Sequence, residues 1–237
     1  MIKVFPEPQS RHTPFQSQTG QEFLRGHGIE CCRSPIDASW ITSTRKAHLA
    51  PYIQNFGTTR KYLLWTHEPR LDQTLTKTVT ICKEQVRIMN VFNHEVFFDN
   101  CYYAEAFAPK LSEPPIKERK LIAFVGKARA NGPSVNIAGR DMDLYRLRTQ
   151  IALEGRQRNI LDIYGPKWPR GVSKEESRGN GWQNRKAVIL TGRYQFNLCF
   201  ENTRAPYYCT EKIWHSIACG CLPIYAGAPT ISGIGKG

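Results

Sequence analysis

Glu201-Asn202 is followed by Tyr207-Tyr208, and then by Thr210-Glu211-Lys212 at the head of an apolar stretch. Thr210 is a favourable N-cap, so the pattern predicts a helix over Thr210–Ala218 that stops before Gly220. A helix N-terminus offers unpaired N–H groups and partial positive charge, which suit a diphosphate. Lys212 adds a full charge there, and Glu211 can accept hydrogen bonds from sugar or ribose hydroxyls. Tyr207 and Tyr208 supply a platform just ahead. Ile213, Trp214, Ile217 and Ala218 form one apolar stripe, which is expected to pack on a sheet. An ordinary amphipathic helix with an incidentally charged start would show the same residues.

Three other groups carry possible chemistry. His67-Glu68-Pro69 follows an apolar strand pattern, Lys61–Trp65, at the position where open α/β sheets place reacting groups. Pro69 stiffens that loop, and a carboxylate so held can act as a general base; a solvated surface glutamate fits the spacing as well. Asp141-Met142-Asp143 has the form of a metal-holding Asp-x-Asp, but its acids open a predicted helix, where the macrodipole alone favours them. The Gly-Lys of the C-terminal tail lacks the glycine and hydroxyl residue of a P-loop, and Gly26-His27-Gly28 lacks the third glycine of a dinucleotide fingerprint. None of the eight cysteines forms a Cys-x-x-Cys pair, which argues against a zinc site.

Positioning such groups requires a scaffold of strands and helices. Strands are predicted over Ile2–Phe5, Ala38–Thr42, Lys61–Trp65 and Val86–Phe92, with a helix over Phe15–Arg25. Residues 108–120, with three prolines and a cluster of charge, read as a linker. Beyond it come strands Leu121–Val125, Ile160–Tyr164, Ala187–Leu190, Tyr194–Phe200 and Leu222–Tyr225, and helices Asp141–Glu154 and Thr210–Ala218. Strands alternating with helices imply parallel sheets. The expected organisation is an acceptor-side domain over residues 1–107, the linker, and a second domain over residues 121–237.

The net charge of +13 is uneven: residues 1–115 carry 13 Lys+Arg against 11 Asp+Glu, and residues 116–237 carry 20 against 9. The second half is an attractor for an anionic partner, whether nucleic acid or a phosphorylated small molecule. Its charges are scattered over several elements rather than interleaved with aromatics on one surface, which argues against nucleic acid. No uninterrupted apolar run approaches about 18 residues, so no membrane span is expected, and Met-Ile-Lys-Val-Phe-Pro lacks the core of a signal peptide. An anchor would have to lie upstream. Cysteines inside strand patterns and the lack of an Asn-x-Ser/Thr sequon lean toward a reducing compartment.

The stretch YQFNLCFENTRAPYYCTEKIWHSIACGCLPIYAG closely resembles the donor-binding signature of the α1,3/4-fucosyltransferases, glycosyltransferase family 10. That signature runs Tyr-Lys-Phe, Phe-Glu-Asn-Ser, Tyr-x-Thr-Glu-Lys, an apolar helix, Gly-x-x-Pro-Ile and Tyr-Gly. KLIAFVGKA, ILDIYG and KYLLWTHEP are weaker echoes of the family upstream. The resemblance implies a GT-B fold, α/β with two Rossmann-like domains facing across a cleft. It implies inverting transfer of L-fucose from GDP-fucose to a glycan hydroxyl without a metal. Carried over residue by residue, Glu211 would hold donor hydroxyls, Lys212 would neutralise the pyrophosphate, and Glu201, Asn202 and Tyr208 would line the donor site. Glu68 would be the acceptor-activating base, although His-Glu-Pro lacks the family's serine. Arg140, with Tyr145 beyond it, is the nearest equivalent of the family's diphosphate arginine; its spacing differs, and Arg146 is a rival. The family continues past Tyr-Gly, so the donor domain is expected to be truncated here. A cytoplasmic or membrane-peripheral setting fits a bacterial source and a Golgi setting a eukaryotic one. Another nucleotide-sugar donor, or an inactive glycan-binding relative, would fit the same residues.

Overall fold

A computed structural model describes residues 1–10, 13–93, 120–128, 134–175, 179 and 181–229 of the chain. Two units emerge: Met1–Ala106 with Ala205–Tyr208, and Phe107–Arg204 with Cys209–Gly237. Of the proline-rich segment 108–120, only Lys120 lies inside the described residues, and the tail 230–237 lies outside them.

The first unit contains β1 (Ile2–Pro6), α1 (Gln18–Gly26), β2 (Ile29–Cys31), β3 (Trp40–Ser43), α2 (Lys46–Phe56), β4 (Lys61–Thr66), β5 (Thr78–Ile81) and β6 (Glu84–Asn90). Its sheet runs β2-β1-β3-β4-β6-β5, parallel throughout except for the β5–β6 pair. The strands are rich in β-branched and aromatic residues, and alternate ones turn inward. Ile41, Leu64, Val86 and Ile88 from three neighbouring strands meet Leu49 and Ile53 of α2 in one core. Ser17 caps α1 by accepting the Gly20 N–H at 3.0 Å. The β5–β6 hairpin turns through Cys82 and Lys83, both at positive φ (48° and 70°), the twist that a two-residue hairpin requires.

The second unit contains β7 (Lys120–Val125), the short hairpin β8 (Asn136–Ile137) and β9 (Arg140–Asp141), α3 (Tyr145–Gln157), β10 (Leu161–Tyr164), α4 (Trp182–Leu190), β11 (Tyr194–Leu198), α5 (Glu211–Ala218) and β12 (Leu222–Ile224). Its four-stranded sheet, β10-β7-β11-β12, is wholly parallel. The strands of such a sheet are buried on both faces, as Leu161–Tyr164 is: all four residues are buried, the charged Asp162 among them. Asp162 is tolerated inside because it accepts the Tyr194 hydroxyl and the Lys174 ammonium, each at 2.7 Å. Among the described residues, no helix is long and apolar enough to cross a membrane.

Two expected elements are different in kind. Ala187–Leu190 is not a strand but the end of helix α4. A four-residue apolar run has no period of its own; the burial of Lys186, Ile189 and Leu190, at helical spacing, reveals it. Asp141 and Asp143 do not open a helix either. Asp141 accepts the Asp143 N–H at 2.9 Å, Asp143 accepts the Tyr145 N–H at 2.7 Å, and α3 begins only at Tyr145. Short acids compete with the helix by bonding to the backbone just ahead of them. Helix α2, with Pro51 inside it, and strand β5 had no counterpart in the sequence reading.

Gly165 ends β10 with φ +118°, and a Cβ there would collide with the Gly126 carbonyl. Tyr164 C=O accepts the Gly126 N–H at 2.9 Å, so the two loops cannot separate without cost. Gly165→Ala is expected to destabilise the chain by about 2 kcal/mol or more, read as a lower midpoint in urea unfolding.

Candidate active site

The second unit builds its polar site where β11 ends. Pairing continues beyond the strands, with Cys199 N–H to Ile224 C=O at 2.9 Å and Glu201 N–H to Ala226 C=O at 2.8 Å. This extension drives Glu201 into the interior, where it is 0% exposed. Its carboxylate accepts the Thr210 N–H (2.7 Å), the Thr210 hydroxyl (2.7 Å), the Lys212 ammonium (3.1 Å) and the Tyr225 hydroxyl (3.4 Å). Four donors around one buried carboxylate replace the water it has lost. Gly227 is required by the same packing, because a Cβ there would collide with Tyr225 Oη and Glu201 Cγ.

The head of α5 therefore already holds an anion. Thr210 occupies the N-cap position, as expected, yet its side chain makes no capping hydrogen bond. Its hydroxyl donates to Glu201 and accepts from Lys212 Nζ at 2.7 Å. Lys212 Nζ also lies 3.7 Å from Glu211 Oε1. Burial opposes ionisation of Glu211, but Lys212 and then Lys186 outweigh it and hold the carboxyl down at about 2. Burial pushes His215 down to about 3, so its ring is neutral at neutral pH.

The apolar stripe expected to pack inward does not. Trp214 is 47% and Ile217 51% exposed, while Glu211, His215 and Ser216 are buried. Polar anchoring sets this rotation: Asn197 Nδ2 of β11 donates to Ser216 Oγ at 2.7 Å, and Ser216 Oγ donates to the Lys212 carbonyl at 2.9 Å. Together with the Glu201 bonds, these fix the helix by its polar side. That outweighs the transfer of two apolar side chains, worth roughly 1.5–3 kcal/mol each.

Asn202 is held from α3. Arg148, buried, donates from one guanidinium nitrogen to the Phe200 carbonyl and to Asn202 Oδ1, each at 3.0 Å. Its guanidinium lies 3.8 Å from the centroid of the Tyr145 ring. Backbone bonds from Leu144 N–H to Asn202 C=O (3.1 Å) and from Arg204 N–H to Met142 C=O (2.7 Å) complete the seam. Arg140 lies on β9, exposed. Among the described residues, no hydrogen bond joins it to Glu201, Glu211 or Lys212. Arg146 is also exposed, 4.0 Å from Asp141. The arginine that the fold ties to this site is thus Arg148, which sequence reading did not single out. Its signal was the i, i+3 spacing from Tyr145, legible only once α3 is known to start there.

Tyr208 belongs to the first unit. It is fully buried, and its hydroxyl donates to Glu68 at 3.1 Å (Oε1) and 3.3 Å (Oε2), across 140 positions of sequence. It does not share a platform with Tyr207, which is exposed and sits at φ +56°, a left-handed conformation that costs a non-glycine residue about 1 kcal/mol. Glu68 is half-buried at the end of β4, its N–H donating to Thr66 Oγ1 at 3.1 Å and its carbonyl accepting the Leu71 N–H at 3.0 Å. A cavity of about 610 Å³ opens against the same loop, lined by Arg45, Lys46, Arg70, Asp72 and Thr74 among others. Arg45 follows β3 and the rest of that loop follows β4, so the cavity lies at the carboxyl ends of parallel strands. Among the described residues, no group of three or more His, Cys, Asp or Glu side chains is placed to hold a metal ion.

No family model matches the chain. Relatives do. The α-(1,3)-fucosyltransferase B of Drosophila melanogaster is 47% identical over 118 residues, 46% of this chain and 26% of that protein. The α-(1,3)-fucosyltransferase FucT of Helicobacter pylori is 37% identical over 62 residues, 26% of this chain and 13% of its own length. The GDP-fucose protein O-fucosyltransferase 3 of Xenopus laevis is 43% identical over 42 residues, 18% of this chain and 9% of its own length. The chain spans about a quarter of the fly protein and less of the other two. A crystal structure of an α1,3-fucosyltransferase aligns with a TM-score of 0.49 and 16% identity, covering 98% of this chain and 70% of that one. A second, with GDP-fucose, aligns at 0.48 with the same identity and coverage. Over the stretch it shares with them, the chain is similar in sequence to fucosyltransferases.

Proposed function

We propose that the chain is part of an inverting fucosyltransferase, with GDP-fucose held by the second unit and Glu68 of the first unit as general base. The observation that carries the reading is the network of Glu201, Thr210, Lys212 and Tyr225. It gives a physical use to the polar residues of the stretch that resembles the donor-binding signature.

In this mechanism the acceptor hydroxyl gives its proton to a Glu68 oxygen while its own oxygen attacks the anomeric carbon of fucose. Attack comes from the face opposite the diphosphate. The bond from the anomeric carbon to phosphate oxygen breaks, and its electron pair departs with GDP. The Tyr208 hydroxyl donates to Glu68, which favours the ionised, proton-accepting form. Lys212 is countercharged by Glu201 and Glu211. What it supplies to a leaving phosphate is a fixed donor group rather than net charge. Net charge is left to Arg140 and the basic surface of residues 116–237. Glu211 accepts donor hydroxyls, and Asn202, held by Arg148, lines the donor site. The reaction as written needs no metal ion. It belongs in the Golgi of a eukaryotic source, or in the cytoplasm or at the periphery of the inner membrane of a bacterial one.

The acceptor is assigned to the first unit, beside the Glu68 loop, and a glycan hydroxyl is the first reading. The name of the frog relative, a protein O-fucosyltransferase, supports a protein hydroxyl as the second. Fucose transfer to N-acetyllactosamine against transfer to a folded protein acceptor separates the two.

GDP and GDP-fucose are expected to raise the melting temperature, by an amount that grows with ligand concentration, and UDP-sugars are not. No shift with either guanine ligand, in folded protein, would sink the donor assignment. Glu68→Gln is expected to leave GDP-fucose binding intact and to lower transfer by about 100-fold or more; transfer at the wild-type rate would remove Glu68 as base. Activity is expected to survive a chelator, and its loss would return attention to Asp141 and Asp143.

A further inference from the structure

The sheet of the second unit runs β10-β7-β11-β12. From β7 the chain crosses to β10 on one side, and from β10 it returns to β11 on the other. The strand order therefore reverses between β7 and β11, and open α/β sheets take their ligands in the crevice outside the carboxyl ends of such strands. Glu201 and Asn202 follow β11 into that crevice. Gly126 and Lys127 follow β7 into it.

The direction of Lys127 follows from the strand. On β7, Ile122 and Phe124 pack with Leu198 and Phe200 on one face, and Ala123 and Val125 pack with Cys219 and Cys221 on the other. The second face is the one that α5 covers, since Asn197 of β11, the partner of Ala123, reaches Ser216 from it. Alternation continues past the strand end: a Cβ on Gly126 would lie 2.9 Å from Phe124 Cζ, so position 126 still turns to the Phe124 face. Lys127 therefore turns to the α5 face. Register agrees with this, because Asn197 pairs with Ala123, and four residues on from each stand Glu201 and Lys127.

The loop is also fixed. Gly126 N–H donates to the Tyr164 carbonyl (2.9 Å), Trp168 Nε1–H donates to the Gly126 carbonyl (2.9 Å), and Ala128 N–H donates to the Pro166 carbonyl (3.1 Å). Lys127 is thus held between two pinned residues. It is half-buried, and among the described residues its side chain makes no ion pair and no hydrogen bond. A lysine that merely buries its stem on a surface would show the same exposure; its place in the fold sets this one apart. Lys212, at the head of α5, has Glu201 at 3.1 Å and Glu211 at 3.7 Å as countercharges, whereas Lys127 brings to the crevice a charge that no described residue offsets. We propose that Lys127 binds the diphosphate of the donor, its ammonium supplying between the ends of β7 and β11 the net positive charge that Lys212 does not. The identity of the anion rests on the donor reading above; the direction of Lys127 and its lack of a described countercharge do not.

The experiment uses the full chain, with GDP affinity measured by calorimetry for the wild type and for Lys127→Gln, and with thermal unfolding followed for both without ligand. At low salt, Lys127→Gln is expected to weaken GDP binding by about tenfold or more. The gap between the two proteins is expected to narrow at about 0.5 M salt, where an ammonium–phosphate attraction is screened. The unliganded variant is expected to melt within about 2 °C of the wild type, because its side chain gives up no bond on substitution. Equal GDP affinity in the two proteins overturns the proposal. So does a loss that is the same at both salt concentrations, which would mark a distorted loop rather than a lost charge. A Lys127→Gln chain that fails to fold overturns it as well, since Lys127 would then belong to the scaffold. If the wild type binds neither GDP nor GDP-fucose, the donor reading fails, and inorganic pyrophosphate, followed by the NMR shift of Lys127 Cε, decides the site. A saturating shift upholds Lys127 as the anion-binding residue of this crevice for another diphosphate, and an unmoved Cε overturns it.

Discussion

The second unit depends on one buried carboxylate. Glu201 is carried inward by the pairing of β11 with the chain beyond β12, and it accepts hydrogen bonds from a backbone N–H, two hydroxyls and an ammonium. Each of those donors comes from a residue that would otherwise be placed differently. Thr210 would cap α5, Lys212 would extend into solvent, and the Tyr225 hydroxyl would lie buried without this acceptor. A group that is costly to bury alone thereby becomes the reason the helix head, the strand end and the Tyr-Ala-Gly turn share one geometry. Gly227 records the same constraint, because nothing larger fits against Glu201 and Tyr225.

Electrostatically, this arrangement is close to balanced. Lys212 Nζ lies between the Glu201 and Glu211 carboxylates, 3.1 Å and 3.7 Å away, at the first turn of α5, and Lys186, buried on α4, favours the ionised form of Glu211 as Lys212 does. A site of this kind holds its donors and acceptors in fixed directions without repelling either a hydroxyl or a phosphate. Preorganisation of that sort is what lowers a barrier when charge moves during reaction, because no dipoles need to turn. In the proposed function, long-range attraction of an anionic donor falls to the exposed basic residues, among them Arg140 and Arg146.

Within the first unit a single hydrogen bond has a comparable consequence. Tyr208 is buried, and its hydroxyl lies on Glu68. Residues Ala205–Tyr208 cluster with the first unit although their neighbours on both sides belong to the second. The exposed, left-handed Tyr207 is part of the backbone route by which they do so. The tyrosine that the resemblance assigns to the donor site hydrogen-bonds the Glu68 carboxylate.

Much of the scaffold was legible in the sequence. β1, β3, β4, β6, β7, β10, β11, β12, α1 and α5 all lie where apolar period and glycine stops put them, within a few residues. Strands such as Leu161–Tyr164 are mostly apolar, Asp162 excepted, because they are covered on both faces, and that pattern is local. Ala187–Leu190 misled because four apolar residues in a row are common to a buried strand and the inner side of a helix; only the inward turn of Lys186 separates them. The run Thr210-Glu211-Lys212 marks the candidate site in the sequence, since residue types at a helix head are read from neighbours in sequence. Which way those side chains face was not. The rotation of α5 is decided by Asn197, Glu201 and Ser216, and two of these lie outside the helix. Sequence by itself determined the elements and the chemical inventory, because both follow from local period and residue type. Tertiary structure alone decided the pairing of that inventory: Tyr208 with Glu68, Arg148 with Asn202, and Tyr194 with Asp162. Each partnership joins residues far apart in the chain, and a buried polar group takes whichever partner the packing brings within reach.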